Sequence, residues 1–162
     1  MKRLIMFLLI TFSATSALAG SELVVDVKLT PAGSFQAVTE EIQGDIFKKE
    51  EKVISKKITI PINSLKTGID LRDEHLWKHV NYSKHQFAIL TELIGQNGHA
   101  TAMLEVAGIK RPLKISYQEK KDQLIGQFKI SASEFKLPRA EYLGIGVEDE
   151  VVAEVTMPFK KL

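Results

Sequence analysis

Apolar and polar positions alternate along most of this chain with a period of two, the mark of strands that bury one face. Leu23, Val25, Val27 and Leu29 set the rhythm in residues 22–29, and Pro31-Ala32-Gly33 turns the chain. Residues 34–47 resume with Phe35, Ala37, Ile42 and Ile46, but the period slips around Gly44, which predicts a bulge or bend there. Residues 53–64 read as a long strand with Ile54, Ile58, Ile60 and Ile62 on one side. A strand over residues 86–94 meets Gly95-Gln96-Asn97-Gly98, a strong hairpin signal. Ala100, Ala102, Leu104 and Val106 follow, then Leu113, Ile115 and Tyr117 beyond the Ala107-Gly108 turn. Leu124, Gly126, Phe128 and Ile130 form the next stripe, and Val151, Ala153, Val155 and Met157 the last.

Two stretches depart from this rhythm. Residues 70–77, Asp-Leu-Arg-Asp-Glu-His-Leu-Trp, read as the one substantial helix, with Leu71, Leu76, Trp77 and Val80 giving it an apolar side. Ser131-Ala132-Ser133-Glu134 fits a capping box, which predicts a short helical turn over residues 134–137 before Pro138. About eight strands, hairpin-length connections and one helical crossover make an antiparallel barrel or sandwich. Ala100, Ala102, Gly126 and Ala153 are small residues on otherwise bulky inward stripes. They either hollow a barrel that is about wide enough for one ligand, or let strands and helix pack closely. Periodicity leaves both readings open.

The N-terminus changes the size of the domain. Met1-Lys2-Arg3 is a basic start, residues 4–12 are apolar, and Ala17-Leu18-Ala19 is a peptidase site, so residues 1–19 read as a cleaved secretory signal. The apolar run is shorter than the roughly 20 residues a membrane span needs. Cutting 19 of 162 residues leaves a domain over residues 20–162, expected in the periplasm or secreted. Lys2 and Arg3 leave with the signal, which reduces 22 basic side chains to 20 against 20 acidic ones. A neutral domain argues against nucleic acid, which requires a basic surface, and against polybasic membrane attachment. There is no cysteine, so disulfides, thiol catalysis and thiolate metal sites are all excluded.

The titratable cluster around the helix is the natural place to seek chemistry, and its spacing favours a structural role. His75 and His79 share a helical face with Asp73, Glu74 and His85 close in sequence, so a histidine–carboxylate zinc site is conceivable, but there is no H-E-x-x-H arrangement and a third ligand has to be assumed from elsewhere. Adjacent Asp73 and Glu74 cannot face each other across a cleft as an acid–base pair. Arg72, Asp73 and Glu74 suit a helix-start ion network instead. Trp77, Tyr82 and Phe87 read as a seam between helix and barrel. No nucleophile elbow, P-loop or dinucleotide fingerprint is present. The sequence thus indicates no enzyme, no metal and no cofactor.

Several segments, taken in order, resemble the YceI-like family of exported lipid-binding proteins. Thr67-Gly68 followed by Arg72-Asp73-Glu74-His75-Leu76 is similar to that family's Thr-Gly and Arg-Asp-x-His-Leu. Residues 104–113, Leu-Glu-Val-Ala-Gly-Ile-Lys-Arg-Pro-Leu, resemble its strand–Gly–turn–strand hairpin, and Val147-Glu148-Asp149-Glu150-Val151 resembles its closing segment. Gly33-Ser34-Phe35 with Gly44 is similar to its opening strands. The chain departs from the family where Asn81-Tyr82 and Gln86 replace an aromatic pair and a proline. It departs again where Ala132-Ser133-Glu134-Phe135-Lys136 replaces Arg-x-x-Phe-Gly. The resemblance implies an all-β fold, an extended antiparallel lipocalin-like β-barrel with one short helix after the third long strand. It implies binding rather than catalysis, the partner being a long apolar lipid such as a polyisoprenoid or fatty acyl chain. A homodimer is compatible with it. On that reading Phe35, Ala100, Ala102, Leu104, Val106, Ile115, Tyr117, Gly126, Phe128, Ile130 and Ala153 line the ligand. The other reading is a filled barrel whose surface engages an envelope protein.

Overall fold

The alternating stretches hydrogen-bond into one 11-stranded sheet in the computed structural model, which describes residues 20–162. The signal segment expected over residues 1–19 lies outside the described residues. In chain order the strands are β1 (Glu22–Thr30), β2 (Ser34–Thr39), β3 (Ile46–Lys49), β4 (Lys52–Pro61), β5 (Phe87–Gln96), β6 (His99–Val106), β7 (Ile109–Lys120) and β8 (Gln123–Ser131). Short β9 (Glu141–Tyr142) and β10 (Ile145–Val147) lead to β11 (Glu150–Lys161), and one α-helix, α1 (Asp70–His79), links β4 to β5.

Seven strands, in the order β3-β4-β5-β6-β7-β8-β11, close into a barrel through a pairing of β11 with β3. That last pairing, Phe159 opposite Ile46, is parallel. A ring with an odd number of alternating strands must contain one such pair, so the expected antiparallel barrel has one parallel seam. β3 covers only the C-terminal end of β11; farther back β1 occupies the same edge, Glu22 to Asp26 lying opposite Thr156 to Val152. β2 pairs with β1 and reaches across to the segment after β4, where Val38 and Lys66 exchange hydrogen bonds of 2.9 Å. Two strands therefore stand at this end where one stands at the other, and the barrel widens toward α1.

The slip expected near Gly44 is what divides residues 34–47 into β2 and β3. Gln43 exchanges hydrogen bonds of 2.9 and 2.8 Å with Thr59. Gly44, at φ +123°, lies so close to Lys57 that a Cβ would collide with its carbonyl oxygen. The inward face of β4 differs from the expected set. Val53 and Ser55 are buried while Ile54 is only half-buried, and the inward phase resumes at Ile58 and Ile60. The phase changes at Lys56-Lys57, two consecutive exposed residues. On β5 at the same level Glu92 adopts φ +56°, and the register against β6 shifts between Thr91 and Ile94. The inward set of β5 accordingly changes phase from Ala88 and Leu90 to Leu93 and Gly95, leaving Ile94 59% exposed.

α1 lies at the wide end, held there by polar contacts. Its N-cap, Ile69, offers no side-chain bond. Asp73, only 3% exposed, reaches back instead, and its Oδ1 accepts from both Thr67 N and Thr67 Oγ at 2.7 Å. The Arg72 guanidinium sits 4.5 Å from the Phe35 ring centre, tying the helix to β2. The expected apolar side is narrower than the sequence suggested. Leu76, Trp77 and Val80 are half-buried, but Leu71, in the first turn, is 60% exposed. The expected seam contains Trp77 and Tyr82, whose ring centres lie 6.2 Å apart, whereas Phe87 is 42% exposed at the start of β5.

Candidate ligand-binding site

Inward side chains of the barrel surround a cavity of about 60 Å³ lined only by apolar residues. Four of the expected ligand residues reach it: Leu104 of β6, Ile115 of β7, and Gly126 and Phe128 of β8. Ala100, Ala102 and Tyr117 are buried in the same core toward the narrow end. There the Tyr117 ring and the Ala100 methyl leave no room for a Cβ on Gly95. Val106 and Ile130 are half-buried toward the wide end. Ala153 is fully buried beside Phe128, its partner across the β8–β11 ladder. Phe35 stands at the mouth beneath Arg72, outside the cavity lining.

The small residues therefore have separate functions. Gly126 borders the cavity, yet a Cβ on it would stand 3.1 Å from Ile115 and 3.3 Å from Val155, so the glycine lets β7 and β11 pack close. The remainder of the lining includes Leu23, Ile46, Ile58, Ala88, Leu90 and Met157, all absent from the expected set. Leu23 and Met157 already stood on inward stripes; Ala88 and Leu90 were hidden by the phase change in β5.

The barrel wall is incomplete at the wide end. β7 and β8 pair only from Ser116–Gln127 down to Lys120–Gln123, although β7 begins at Ile109 and β8 continues to Ser131. Pro112, which has no amide to donate, falls in the stretch of β7 that lacks a β8 partner, where a proline is tolerated. The short helical turn expected over residues 134–137 is a 3₁₀ turn over Ala132–Phe135, and it fills this gap. Phe135, 3% exposed, is part of the barrel's apolar core. The expected capping box does not form: Ser131 makes no cap bond. Instead Asp149 holds the turn from outside. Its carbonyl accepts from Ala132 N at 2.9 Å, and its carboxylate accepts from Ser133 N and Ser133 Oγ, each at 2.8 Å.

Outside that turn lies a cleft of about 300 Å³, bordered by Thr30, His79, Ser133, Leu137, Arg139, Glu148 and Asp149 among others. Leu137 is shared, bordering the cleft while packing against the barrel core. Burial pushes the His79 imidazole below its ordinary pKa. The Trp77 Nε1–H is buried and has no acceptor among the described residues. Among the described residues no group of three or more His, Asp or Glu side chains is placed to hold a metal ion, and no helix is long and apolar enough to cross a membrane.

Solved structures share this architecture. Burkholderia cenocepacia BcnA superposes with a TM-score of 0.66 at 13% identity, over 84% of this chain and 94% of that one. A polyisoprenoid-binding domain from Saccharophagus degradans, implicated in plant cell wall breakdown, gives 0.61 at 14% identity, over 84% and 91%. A Campylobacter jejuni YceI protein gives 0.52 at 20% identity, over 75% and 83%. At these identities the likeness is one of fold. No curated protein matches the chain. The sequence itself matches the family description "YceI-like domain" across residues 10–159. With the Thr67, Arg72 and Asp73 contacts at the root of α1 and a closed barrel beneath it, the chain belongs to the YceI-like family.

Proposed function

We propose that this protein carries or sequesters a long apolar or amphiphilic molecule, of polyisoprenoid or fatty acyl type, inside its barrel, and does so in the periplasm after export. The observation that carries the reading is the closed barrel around a cavity with no polar lining side chain. An aqueous ligand would find no hydrogen-bond partner there, whereas a hydrocarbon gains roughly 0.8 kcal/mol for each CH₂ it removes from water. Membership of the YceI-like family and the fold shared with a polyisoprenoid-binding domain support the same ligand class. The expected ligand residues Leu104, Ile115, Gly126 and Phe128 would touch the chain first. Ala100, Ala102, Val106, Tyr117, Ile130 and Ala153 would do so as the cavity extends, and Phe35 would sit at its mouth. Binding, with no chemical step, is the activity.

A second reading has one observation in its favour. About 60 Å³ is too small for a long chain, so the barrel as it stands is nearly filled. A filled barrel could act as an envelope interaction module through its outer surface. Native mass spectrometry of the purified protein, with organic extraction of anything bound, separates the two. A reproducible co-purifying lipid supports the carrier. A protein that arrives empty and takes up no added isoprenoid or fatty acyl chain refutes it.

A further inference from the structure

The outer cleft and the barrel core meet at one short piece of chain. Ala132, Ser133 and Leu137 border the cleft, while Phe135 of the same turn is packed into the core and Leu137 against it. The wall behind this piece is missing its ladder, since β7 and β8 are unpaired above Ser116 and Gln127. All three bonds that hold Ala132 and Ser133 from outside converge on one residue, Asp149. α1, the other element at this end, is anchored by a buried Asp73 and by Arg72 over Phe35. The Phe135 turn is thus the part of the wide end that can move without breaking a sheet or unseating the helix.

We propose that the outer cleft is the head-group site of an amphiphile with an uncharged polar head, and that its apolar chain enters the barrel between β7 and β8 in place of Phe135. The inference rests on the carrier reading above and deepens it. The cleft suits such a head. Its border carries one cation, Arg139, against the carboxylates of Glu148 and Asp149, with hydroxyls at Thr30 and Ser133. A hydroxyl or carbonyl finds donors and acceptors there, whereas a carboxylate or phosphate meets a surplus of negative charge. The apolar border residues Ala132, Leu137 and Val147 lead from the head position toward the turn.

All-trans-retinol, an isoprenoid alcohol whose fluorescence rises in an apolar site, is a suitable probe for stopped-flow and equilibrium titration. Ser133→Ala removes one latch bond to the Asp149 carboxylate and leaves the core intact. Retinol should then enter faster, on the order of tenfold, as expected for losing one charge-assisted hydrogen bond from the closed state. Phe135→Ala should accelerate entry further. Retinoic acid, with the same chain and a carboxylate head, should bind more weakly than retinol, on the order of tenfold. Entry rates unchanged in Ser133→Ala but raised by Arg72→Ala would overturn the portal in favour of a path beneath α1. Retinoic acid binding as tightly as retinol would overturn the head-group assignment. A wild-type protein that takes up neither probe nor any added isoprenoid refutes the carrier reading itself; normal uptake with unaltered kinetics refutes only this inference.

Discussion

Ala88 offers a direct test of what the inner cavity is for. It borders the cavity from the wide end of β5, and Ala88→Leu would place an isobutyl group into that space. Residual core volume destabilises by about 24 cal/mol per Å³, so a 60 Å³ cavity is worth about 1.4 kcal/mol when filled. Ala88 is half-buried, and a gain of about 1 kcal/mol is the reasonable expectation. For a domain of this size that corresponds to a rise in Tm of about 4 °C, readable by circular dichroism. If the cavity is where a ligand chain begins, the same variant should lose retinol affinity by about tenfold or more, because the side chain replaces about two methylenes of ligand. Gly126→Leu cannot serve this purpose. Its Cβ would already crowd Ile115 and Val155, so loss of binding would be confounded with overpacking. A lower Tm in Ala88→Leu would show that the volume cannot be filled from β5. A higher Tm with unchanged retinol affinity would show that the ligand does not use it.

The contacts of the wide end make further predictions. Asp73→Ala removes the acceptor for Thr67 N and Oγ and should destabilise by about 2–3 kcal/mol in urea unfolding, with Thr67→Val less severe because the backbone bond remains. Lys136 takes φ +54° where the family pattern has glycine, and Lys136→Gly should therefore stabilise by about 1 kcal/mol in the same assay. His79 has a folded pKa depressed by burial, so below its ordinary value of 6.5 the unfolded chain takes a proton that the folded one resists. Its contribution is present above pH 6.5 and lost as the pH falls toward the depressed value. His79→Gln should narrow the gap between Tm at pH 7.5 and at pH 5.5; an undiminished gap would exclude this imidazole as its source.

Where a side chain announces its own backbone geometry, the fold was legible. Asn97-Gly98 and Ala107-Gly108 both adopt paired positive φ in tight turns, and the stripes of β6, β7, β8 and β11 face inward as their alternation requires. The phase change in β4 and β5 was not legible. It depends on Glu92 at φ +56°, a conformation that glutamate does not advertise, and it turns Ile54 outward although isoleucine suits either side. The parallel seam follows from strand parity, which no local pattern carries. Asp73 could be read as a helix-start charge, but its burial against Thr67 depends on the loop folding back. Phe135 was read only as part of a short helical turn; its place in the core depends on the gap between β7 and β8, of which Pro112 was a sequence sign.

The closed turn also sets a lower bound on ligand length. Withdrawing Phe135 exposes an aromatic side chain, at a cost of about 1.5–3 kcal/mol. Releasing the three bonds to Asp149 costs about 1 kcal/mol each once water replaces them. An entering chain recovers roughly 0.8 kcal/mol per methylene, so about six to eight methylenes must be buried before opening is offset at all. Loss of translational and rotational freedom raises that threshold further. Alcohols of up to about eight carbons should therefore leave this protein unbound however hydrophobic the cavity is, and affinity should climb only for longer chains. A barrel with a permanently open pore would bind the short members too, each in proportion to its length. The nearly filled interior is on this account a closed state that selects for length, which reconciles a small cavity with a long ligand.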